Sequence, residues 1–279
     1  MTNHAAIRSR AGCIETTVNE IAPLLGRTLI VVAHPDDEVI GCGALLQRIG
    51  EPLVVFCTDG APRPSKWWQQ FGSREAYARL RRAEGREALG HAGVRSLEFL
   101  SDDRSQPFVD QELFQRLPEA IAALDGLVQR YRPQALLTHA YEGGHPDHDA
   151  CCFITSVVAH SATLPAWEMP LYHRDPAGNG VRQQFVNRTS QEMELQVSAA
   201  EQERKGRMLA AYASQGDIIS AFDASIERVR PLHSYDFTRP PHVGKLNYEM
   251  WGWPMSGKEV SQSFADYLKD TLTKGATSK

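Results

Sequence analysis

The chain alternates between short continuous apolar runs and longer segments with apolar residues at helical spacing. Residues 28–33 (TLIVVA) and 52–57 (PLVVFC) are β-branched runs of the kind that form strands buried on both faces. Shorter runs of the same kind occupy residues 96–100 and 135–138. Helical spacing is found in the intervening segments, which are 39–49, 74–92, 111–131 and 149–160. The alternation predicts βαβ units and a mostly parallel sheet.

The regular alternation weakens beyond Trp167. Three late segments differ in pattern: a candidate strand at 168–172, a strong helical pattern at 190–213, and a Pro-, Trp- and Tyr-rich stretch without periodicity at 231–255. We therefore predict an α/β, Rossmann-like three-layer fold with a mostly parallel sheet and an irregular C-terminal cap. We expect one domain over 1–279, with its core at about 26–175 and the C-terminal helix and cap at about 176–279.

The net charge and the cysteine pattern bear on the expected partners and cellular compartment. A net charge of −4 and a pI near 6.2 give no basic footprint for nucleic acid, so no nucleic-acid partner is expected. The five cysteines form no CxxC pair, and four of them lie in apolar segments: Cys42, Cys57, Cys151 and Cys152. This usage indicates a reducing compartment, and we expect a cytoplasmic protein.

Membrane insertion is not expected from the sequence. Residues 1–26 have no apolar core of a signal peptide, and no stretch approaches 18 uninterrupted apolar residues. We therefore expect no integral membrane segment. The sequence is compatible with an oligomer but does not specify one.

Two polar motifs, about a hundred residues apart, begin where apolar runs end. Residues 33–38 read AHPDDE and residues 144–149 read GHPDHD. Sites in parallel α/β sheets gather beyond the carboxyl ends of the strands, so we expect both motifs to meet at one point. Histidines and carboxylates bind divalent metals and transfer protons, and the pair therefore predicts one metal site.

The spacing within the motifs suggests which residues bind the metal and which transfer protons. A catalytic zinc site needs about three protein ligands from His and Asp or Glu, with one position open. The first motif offers His34 and Asp37, while the adjacent Asp36 must point elsewhere and is suited to take a proton from activated water. The second motif offers His145 and His148. One of these two completes the ligand set, and the other faces the substrate as an acid or oxyanion stabiliser.

These motifs resemble the PIG-L/LmbE family of metal-dependent N-acyl deacetylases. That family includes N-acetylglucosaminyl-phosphatidylinositol deacetylases and the deacetylases of mycothiol and bacillithiol biosynthesis. Further similar features are TDG at 58–60 and the helical pair Arg81 and Glu84, and the resemblance covers about 28–172. The resemblance implies a specific set of roles: His34, Asp37 and His148 as metal ligands, Asp36 as general base, and His145 as general acid or electrostatic stabiliser.

The resemblance also implies a cofactor and a substrate class. The metal is expected to be Zn²⁺, with Fe²⁺ or another divalent metal as the alternative. The expected reaction hydrolyses an N-acyl group, first of all N-acetyl, on a small-molecule amino-sugar conjugate. Arg81, Asp103 (or its neighbour Asp102) and Tyr141 are the matching substrate contacts. Residues 211–215 (AYASQ) also resemble a helix end of many relatives, without an assigned role.

Three other interpretations compete with this one. A hydrolase of non-sugar amides would use the same metal ligands. A nucleotide-binding Rossmann protein would need a glycine-rich turn after the first strand, but Gly41 and Gly43 fall inside the predicted helix. A non-catalytic metal sensor would not need Asp36 or His145. Of the other histidines, His139 is interpreted as a packing or turn residue.

Overall fold

A seven-stranded sheet forms the centre of the computed structural model, which describes residues 21–101 and 106–277. Five strands are parallel: β1 (Arg27–Val32), β2 (Glu51–Phe56), β3 (Leu97–Phe99), β4 (Ala135–His139) and β5 (Ala166–Met169). A separate antiparallel hairpin follows, made of β6 (Tyr172–Arg174) and β7 (Gly180–Arg182). The sheet is completed by two antiparallel strands, β8 (Met193–Glu194) and β9 (Arg228–Pro231). The order across the sheet is β3-β2-β1-β4-β5-β9-β8.

The helices of the described residues connect the strands and cover the sheet. They are α1 (Asp37–Cys42), α2 (Arg74–His91), α3 (Leu117–Tyr131), α4 (Pro146–Ala162), α5 (Ala199–Ala211), α6 (Gly216–Ile219), α7 (Asn247–Met250) and α8 (Gly257–Thr277). None of them is both long enough and apolar enough to cross a membrane. Short 3₁₀ turns occur at Ala22–Leu25, Leu45–Gln47, Ser65–Trp67, Gln69–Phe71, Leu113–Gln115 and Ala213–Gln215.

Alternate residues of β1 face two different hydrophobic layers. Leu29 and Val31 pack in a cluster with side chains of α3, α4 and α8. Ile30 and Val32 pack in a second cluster with side chains of α1, α2 and α5. Because successive side chains of a strand point to opposite faces, the two clusters lie on the two sides of the sheet. The predicted three-layer α/β fold with a mostly parallel sheet is confirmed.

The strand order places a switch point between β1 and β4. From β1 the chain proceeds to β2 and β3 on one side, and then returns to β4 on the other side of β1. The connections after β1 and β4 therefore diverge and leave a crevice at the carboxyl edge of the sheet. Both polar motifs lie in these two connections.

Three predicted helices are shorter than their sequence patterns, and the one at 111–131 forms only over Leu117–Tyr131. The pattern at 39–49 continues past α1, but the amides of Ala44 and Leu45 donate to the Glu227 carboxylate at 2.6 and 2.9 Å. This tertiary acceptor replaces the next helical carbonyls and ends the helix. The pattern at 190–213 begins as a helix only at Ala199, where Ser198 and Glu201 form a capping box.

The late part of the chain contributes more regular structure than its pattern predicts. β9 extends the sheet, and Phe264 of α8 packs into the layer formed by α3 and α4. Residues 232–246 are irregular, as expected for a cap. That the whole chain is one domain stays a prediction. The four cysteines in the described part are free and buried, in agreement with their interpretation as small hydrophobic residues.

Candidate metal centre and cavity

The first polar motif turns sharply between β1 and α1. The backbone amide of His34 donates to Asp37 Oδ2 at 2.8 Å and closes the turn. Asp36 has a φ of 132°, a conformation that non-glycine residues rarely adopt. This conformation separates the directions of the neighbouring carboxylates: Asp37 turns toward His34, while Asp36 faces Arg81.

The second motif begins α4 on the neighbouring strand connection. His145 is the N-cap residue, and its Nδ1 accepts the Asp147 amide at 3.1 Å. His148 follows in the first turn of the helix and is almost completely buried. Because β1 and β4 are adjacent and parallel, their carboxyl ends bring the two motifs together, as the sequence predicts.

Asp37 contacts each of the other two residues predicted as metal ligands, although the three do not form one of the compact ligand groups described below. Asp37 Oδ2 lies 3.3 Å from His34 Nδ1, and Asp37 Oδ1 lies 3.2 Å from His148 Nε2. Two ligand atoms at tetrahedral positions on one zinc ion are themselves about 3.3 Å apart. Neither ring nitrogen of His148 makes a hydrogen bond, although the side chain is buried. Because a buried polar atom is normally satisfied, this His148 ring fits a metal ligand.

The cluster contains three further residues that were not predicted as ligands or catalytic groups: Asp110, His139 and Asp147. Three overlapping groups have ligand atoms within 4.8 Å of one another: His34, His145 and His148; His34, Asp110, His145 and Asp147; and Asp37, His139 and His148. Asp110 Oδ1 lies 3.3 Å from His34 Nε2 and 3.4 Å from His145 Nε2. Asp110 thus connects a predicted ligand with the predicted acid.

Asp147 and His139 hold the cluster in place. Asp147 accepts the backbone amides of Gln111 and Leu113 at 2.6 and 3.0 Å, and it lies 3.3 Å from His34 Nε2. His139 Nε2 accepts the Ala33 amide at 3.1 Å, and its ring stacks on His148 with centroids 4.0 Å apart. The sequence-based interpretation of His139 as a mere packing or turn residue is incomplete, because its Nε2 also lies 3.4 Å from Asp37 Oδ2.

Burial and neighbouring charges shift the protonation of these groups in different directions. Burial alone would lower the pKa of His34, but Asp110, Asp147 and Asp37 outweigh it and raise that pKa well above its ordinary value. Burial lowers the pKa of His148, which favours the neutral imidazole that binds metals. Burial would raise the pKa of Asp37, but His148 and His139 lower it well below the ordinary value. The neutral imidazole of His148 and the ionised carboxylate of Asp37 are the protonation states of ligands.

Arg81 holds the turn that carries Asp36. Its guanidinium donates to the Pro35 and Gly60 carbonyls at 2.5 and 3.1 Å, and Nη2 lies 3.3 Å from Asp36 Oδ2. Burial raises the pKa of Asp36 to about 7, although Arg81 opposes the shift. The structure therefore brings Arg81 to the site, as predicted, with Asp36 as its direct partner.

A cavity of about 560 Å³ opens from this cluster to the surface. His34, Asp36, Asp37 and His145 line its inner end. Its aromatic lining comes from distant parts of the chain: Trp67, Tyr77, Tyr172, Phe222, Trp251 and Trp253. The Trp253 ring lies edge-on to His145 with centroids 5.0 Å apart, and the volume is that of a small-molecule site.

Of the predicted substrate contacts, Tyr141 does not line the cavity. Tyr141 packs among aromatic rings beneath α4 and α8, 5.0 Å from the Phe237 ring, and its hydroxyl donates to the Arg239 carbonyl at 2.7 Å. Asp103, like Asp102, lies outside the described residues. Tyr172, in the hairpin after β5, lies beside the cluster of His and Asp side chains. Its ring is 5.4 Å from the His148 ring.

The fold and the site together define a class: an α/β protein with a His- and Asp-rich cluster, a candidate metal site, at the carboxyl edge of its parallel strands. Residues 29–159 match the sequence model of the PIG-L family, described as GlcNAc-PI de-N-acetylase. The predicted resemblance to this family is confirmed over these residues.

Curated relatives are similar over part of their length. The chain is 30% identical to a probable N-acetyl-α-D-glucosaminyl L-malate deacetylase 2 of Bacillus cereus, over 52% of this chain and 65% of that protein. It is 29% identical to the 2′-N-acetylparomamine deacetylase of Streptomyces fradiae, over 69% of this chain and 74% of that protein. Several relatives are spanned over only about half of their length, for example 55% of a Rhodococcus erythropolis protein.

Solved structures share the fold. A deacetylase of teicoplanin biosynthesis superposes with a TM-score of 0.60 at 18% identity, over 75% of this chain and 99% of that chain. The 4-carboxy-2-hydroxymuconate hydratase of Pseudomonas putida KT2440 gives a TM-score of 0.52 at 16% identity, over 78% of this chain and 98% of that chain. Because a deacetylase and a hydratase share this fold, the fold alone does not define the reaction.

Proposed function

We propose that this protein is a metal-dependent hydrolase that removes the N-acetyl group from an amino-sugar conjugate. The observation that carries the proposal is the buried His148 ring, whose nitrogens make no hydrogen bond, against Asp37, with a second carboxylate, Asp36, directed toward Arg81 in the same turn. A site that only stored metal would not need Asp36 in a strained conformation at the cavity wall.

His34, Asp37 and His148 would hold the metal. Imidazole nitrogen and carboxylate oxygen suit Zn²⁺ best, and they also suit Fe²⁺. A divalent ion bound there lowers the pKa of water and polarises an acyl carbonyl. Asp110, His139 and Asp147 contact the proposed ligands and would orient them, as groups around a metal site commonly do.

Asp36 acts as the base and His145 as the acid of the proposed reaction. Asp36 lines the cavity next to Arg81, and it accepts the proton of the attacking water. His145 lines the same inner end of the cavity, and its Nε2 lies 3.4 Å from Asp110 Oδ1. From this position His145 stabilises the negative charge on the acyl oxygen and protonates the leaving nitrogen. The products are acetate and a free amine.

The lining of the cavity supports a sugar conjugate as the substrate. Trp253 and Tyr172 line the cavity beside the catalytic end, and aromatic rings pack well against the apolar side of sugar rings. The lining also includes Arg174 and Arg182. A second group on the sugar would lie near these two positive charges. The relatives of Bacillus cereus and Streptomyces fradiae are both named for N-acetylated amino-sugar conjugates. A cytoplasmic location stays a prediction from the cysteines.

Acetate release, measured together with metal content, tests this function. The purified protein is depleted of metal, reloaded with Zn²⁺ or Fe²⁺, and incubated with N-acetylglucosamine, its methyl glycoside, its 1-phosphate, and N-acetyl-leucine as a non-sugar amide. We expect metal-dependent acetate release from one or more of the sugars and none from N-acetyl-leucine. Release from N-acetyl-leucine alone would assign the protein to non-sugar amides, and no release from any compound with metal bound would contradict the proposal.

A further inference from the structure

The backbone of Asp36 is strained and must be held by its surroundings. A φ of 132° in a residue with a Cβ costs on the order of 1–3 kcal/mol, and it persists only where neighbouring contacts determine it. The Arg81 guanidinium fixes the carbonyl of the preceding Pro35. On the other side of the turn, the Asp36 amide donates to Glu38 Oε2 at 3.1 Å. Glu38 is therefore the acceptor that fixes the Asp36 peptide.

Glu38 is itself held by a residue far away in the sequence. Its side chain is fully buried, and its second carboxylate oxygen, Oε1, accepts the hydroxyl of Tyr212. Tyr212 is also fully buried and is the C-terminal cap residue of α5. Its hydroxyl lies beside the catalytic turn, since a Cβ on Gly85 would touch both this hydroxyl and the Pro35 ring at 3.5 Å.

The residues after Tyr212 attach the same segment to α2, the helix that carries Arg81. The Ser214 amide and hydroxyl donate to the two oxygens of Glu84 at 2.8 and 2.6 Å. The Gln215 side-chain amide donates to the Tyr77 hydroxyl at 2.6 Å. The segment 212–215 is thus fixed to α2 while its first residue reaches Glu38.

We propose that Tyr212, acting through Glu38, is a positioning residue that holds the Asp36 backbone so that the Asp36 carboxylate faces the cavity. This gives a role to the motif AYASQ at 211–215, which resembles a helix end of many relatives. The inference rests on the proposed function, in which Asp36 is the base. Tyr212 is not among the residues that line the cavity.

Tyr212→Phe tests the inference because it removes one hydroxyl and keeps the ring. We expect kcat to fall about 10-fold or more, since small misplacements of a catalytic group are costly, with KM changed by less than about 2-fold. Bound metal should be unchanged, because Asp37 keeps its contacts. Tyr131→Phe is the matched control, as Tyr131 also bonds a glutamate, Glu98, but lies away from the cavity.

A double-mutant cycle separates positioning from a general loss of structure. If Tyr212 acts through Asp36, Tyr212→Phe changes the residual kcat of the Asp36→Ala variant by less than about 2-fold. An equal loss in both backgrounds, or an unchanged kcat in Tyr212→Phe alone, overturns the inference. Full activity of Asp36→Ala overturns the proposed function instead, so the two failures are distinguishable.

Variants of Glu38 keep the test decisive if Tyr212→Phe does not fold. Glu38→Gln retains an acceptor for the Asp36 amide and a polar partner for the Tyr212 hydroxyl, so it should keep most of kcat. Glu38→Ala removes both contacts and should lose about 10-fold or more of kcat. Equal kcat in these two variants contradicts the positioning role.

Discussion

Lys205 is a fully buried lysine of α5, and its replacement by methionine removes one half of a buried ion pair. The ammonium lies 2.7 Å from Glu227 Oε1 and donates to the Ile40 carbonyl of α1 at 3.2 Å. Methionine keeps most of the apolar stem but leaves the Glu227 carboxylate buried without a cation. Breaking a buried pair in this way costs about 3–5 kcal/mol.

The lower end of that range applies to Lys205→Met. Glu227 keeps two donors, the backbone amides of Ala44 and Leu45, which offset part of the loss. We therefore expect the free energy of unfolding to fall by about 3 kcal/mol, with a Tm lower by about 6–12 °C. Because Lys205 also bonds α1, which begins with Asp37, metal affinity should weaken as well.

Urea unfolding followed by circular dichroism measures the change, with EDTA present so that metal release does not contribute. Lys258→Met, at an exposed position of α8, controls for the loss of a positive charge. The cycle with Glu227→Gln should show a coupling of about 1–3 kcal/mol, since residues in one buried pair are not additive. A loss below about 1 kcal/mol for Lys205→Met, equal to the control, would refute the reasoning.

Three further predictions concern the cavity, the core and an ion pair. Trp253→Ala should raise KM for the sugar substrate about 10-fold, because Trp253 lines the cavity beside His145; steady-state kinetics check this, and an unchanged KM would contradict it. Tyr141→Phe should leave kcat/KM within about 2-fold of wild type and cost about 1 kcal/mol of stability, because its hydroxyl bonds Arg239 outside the cavity; a 10-fold drop in kcat/KM would show a substrate contact. A hydrogen bond from Arg48 lowers the pKa of Glu201 to about 2. The Glu201–Arg48 ion pair therefore stabilises the fold fully above pH 4.5, the ordinary pKa of glutamate, and this stabilisation is lost as the pH falls toward 2. Glu201→Gln should therefore cost about 1 kcal/mol at pH 7 and less at pH 3.5, and equal costs in urea unfolding at both pH values would count against the ion pair.

The parts of the fold with strong local patterns could be predicted from the sequence. The run at 28–33 corresponds to β1 with a shift of one residue, because a strand buried on both faces has a continuous apolar sequence. The convergence of His34, Asp37, His145 and His148 followed from the parallel sheet, since neighbouring strands end at the same edge. Arg81 was predicted at the site from the family resemblance, and its contact with Asp36 required the structure.

The residues that the sequence did not reveal depend on distant contacts. Asp110 follows no motif, yet a loop places it between His34 and His145. Tyr172 reaches the cavity from the β6–β7 hairpin, and no motif in the sequence marks it. The early end of the helix after Asp37 depends on Glu227, which lies 183 residues after Ala44. Local propensity contains no information about such tertiary acceptors.

The central claim is that some residues of the site bind the metal while a separate residue, Asp36, acts as the base. Metal content and acetate release, measured in parallel for wild type, His34→Ala, His148→Ala and Asp36→Ala, test it most directly. The account predicts that both histidine variants lose metal and activity, while Asp36→Ala keeps a full equivalent of metal and loses about 100-fold or more of kcat. Full activity of Asp36→Ala at saturating metal, or full metal binding by His148→Ala, would contradict it.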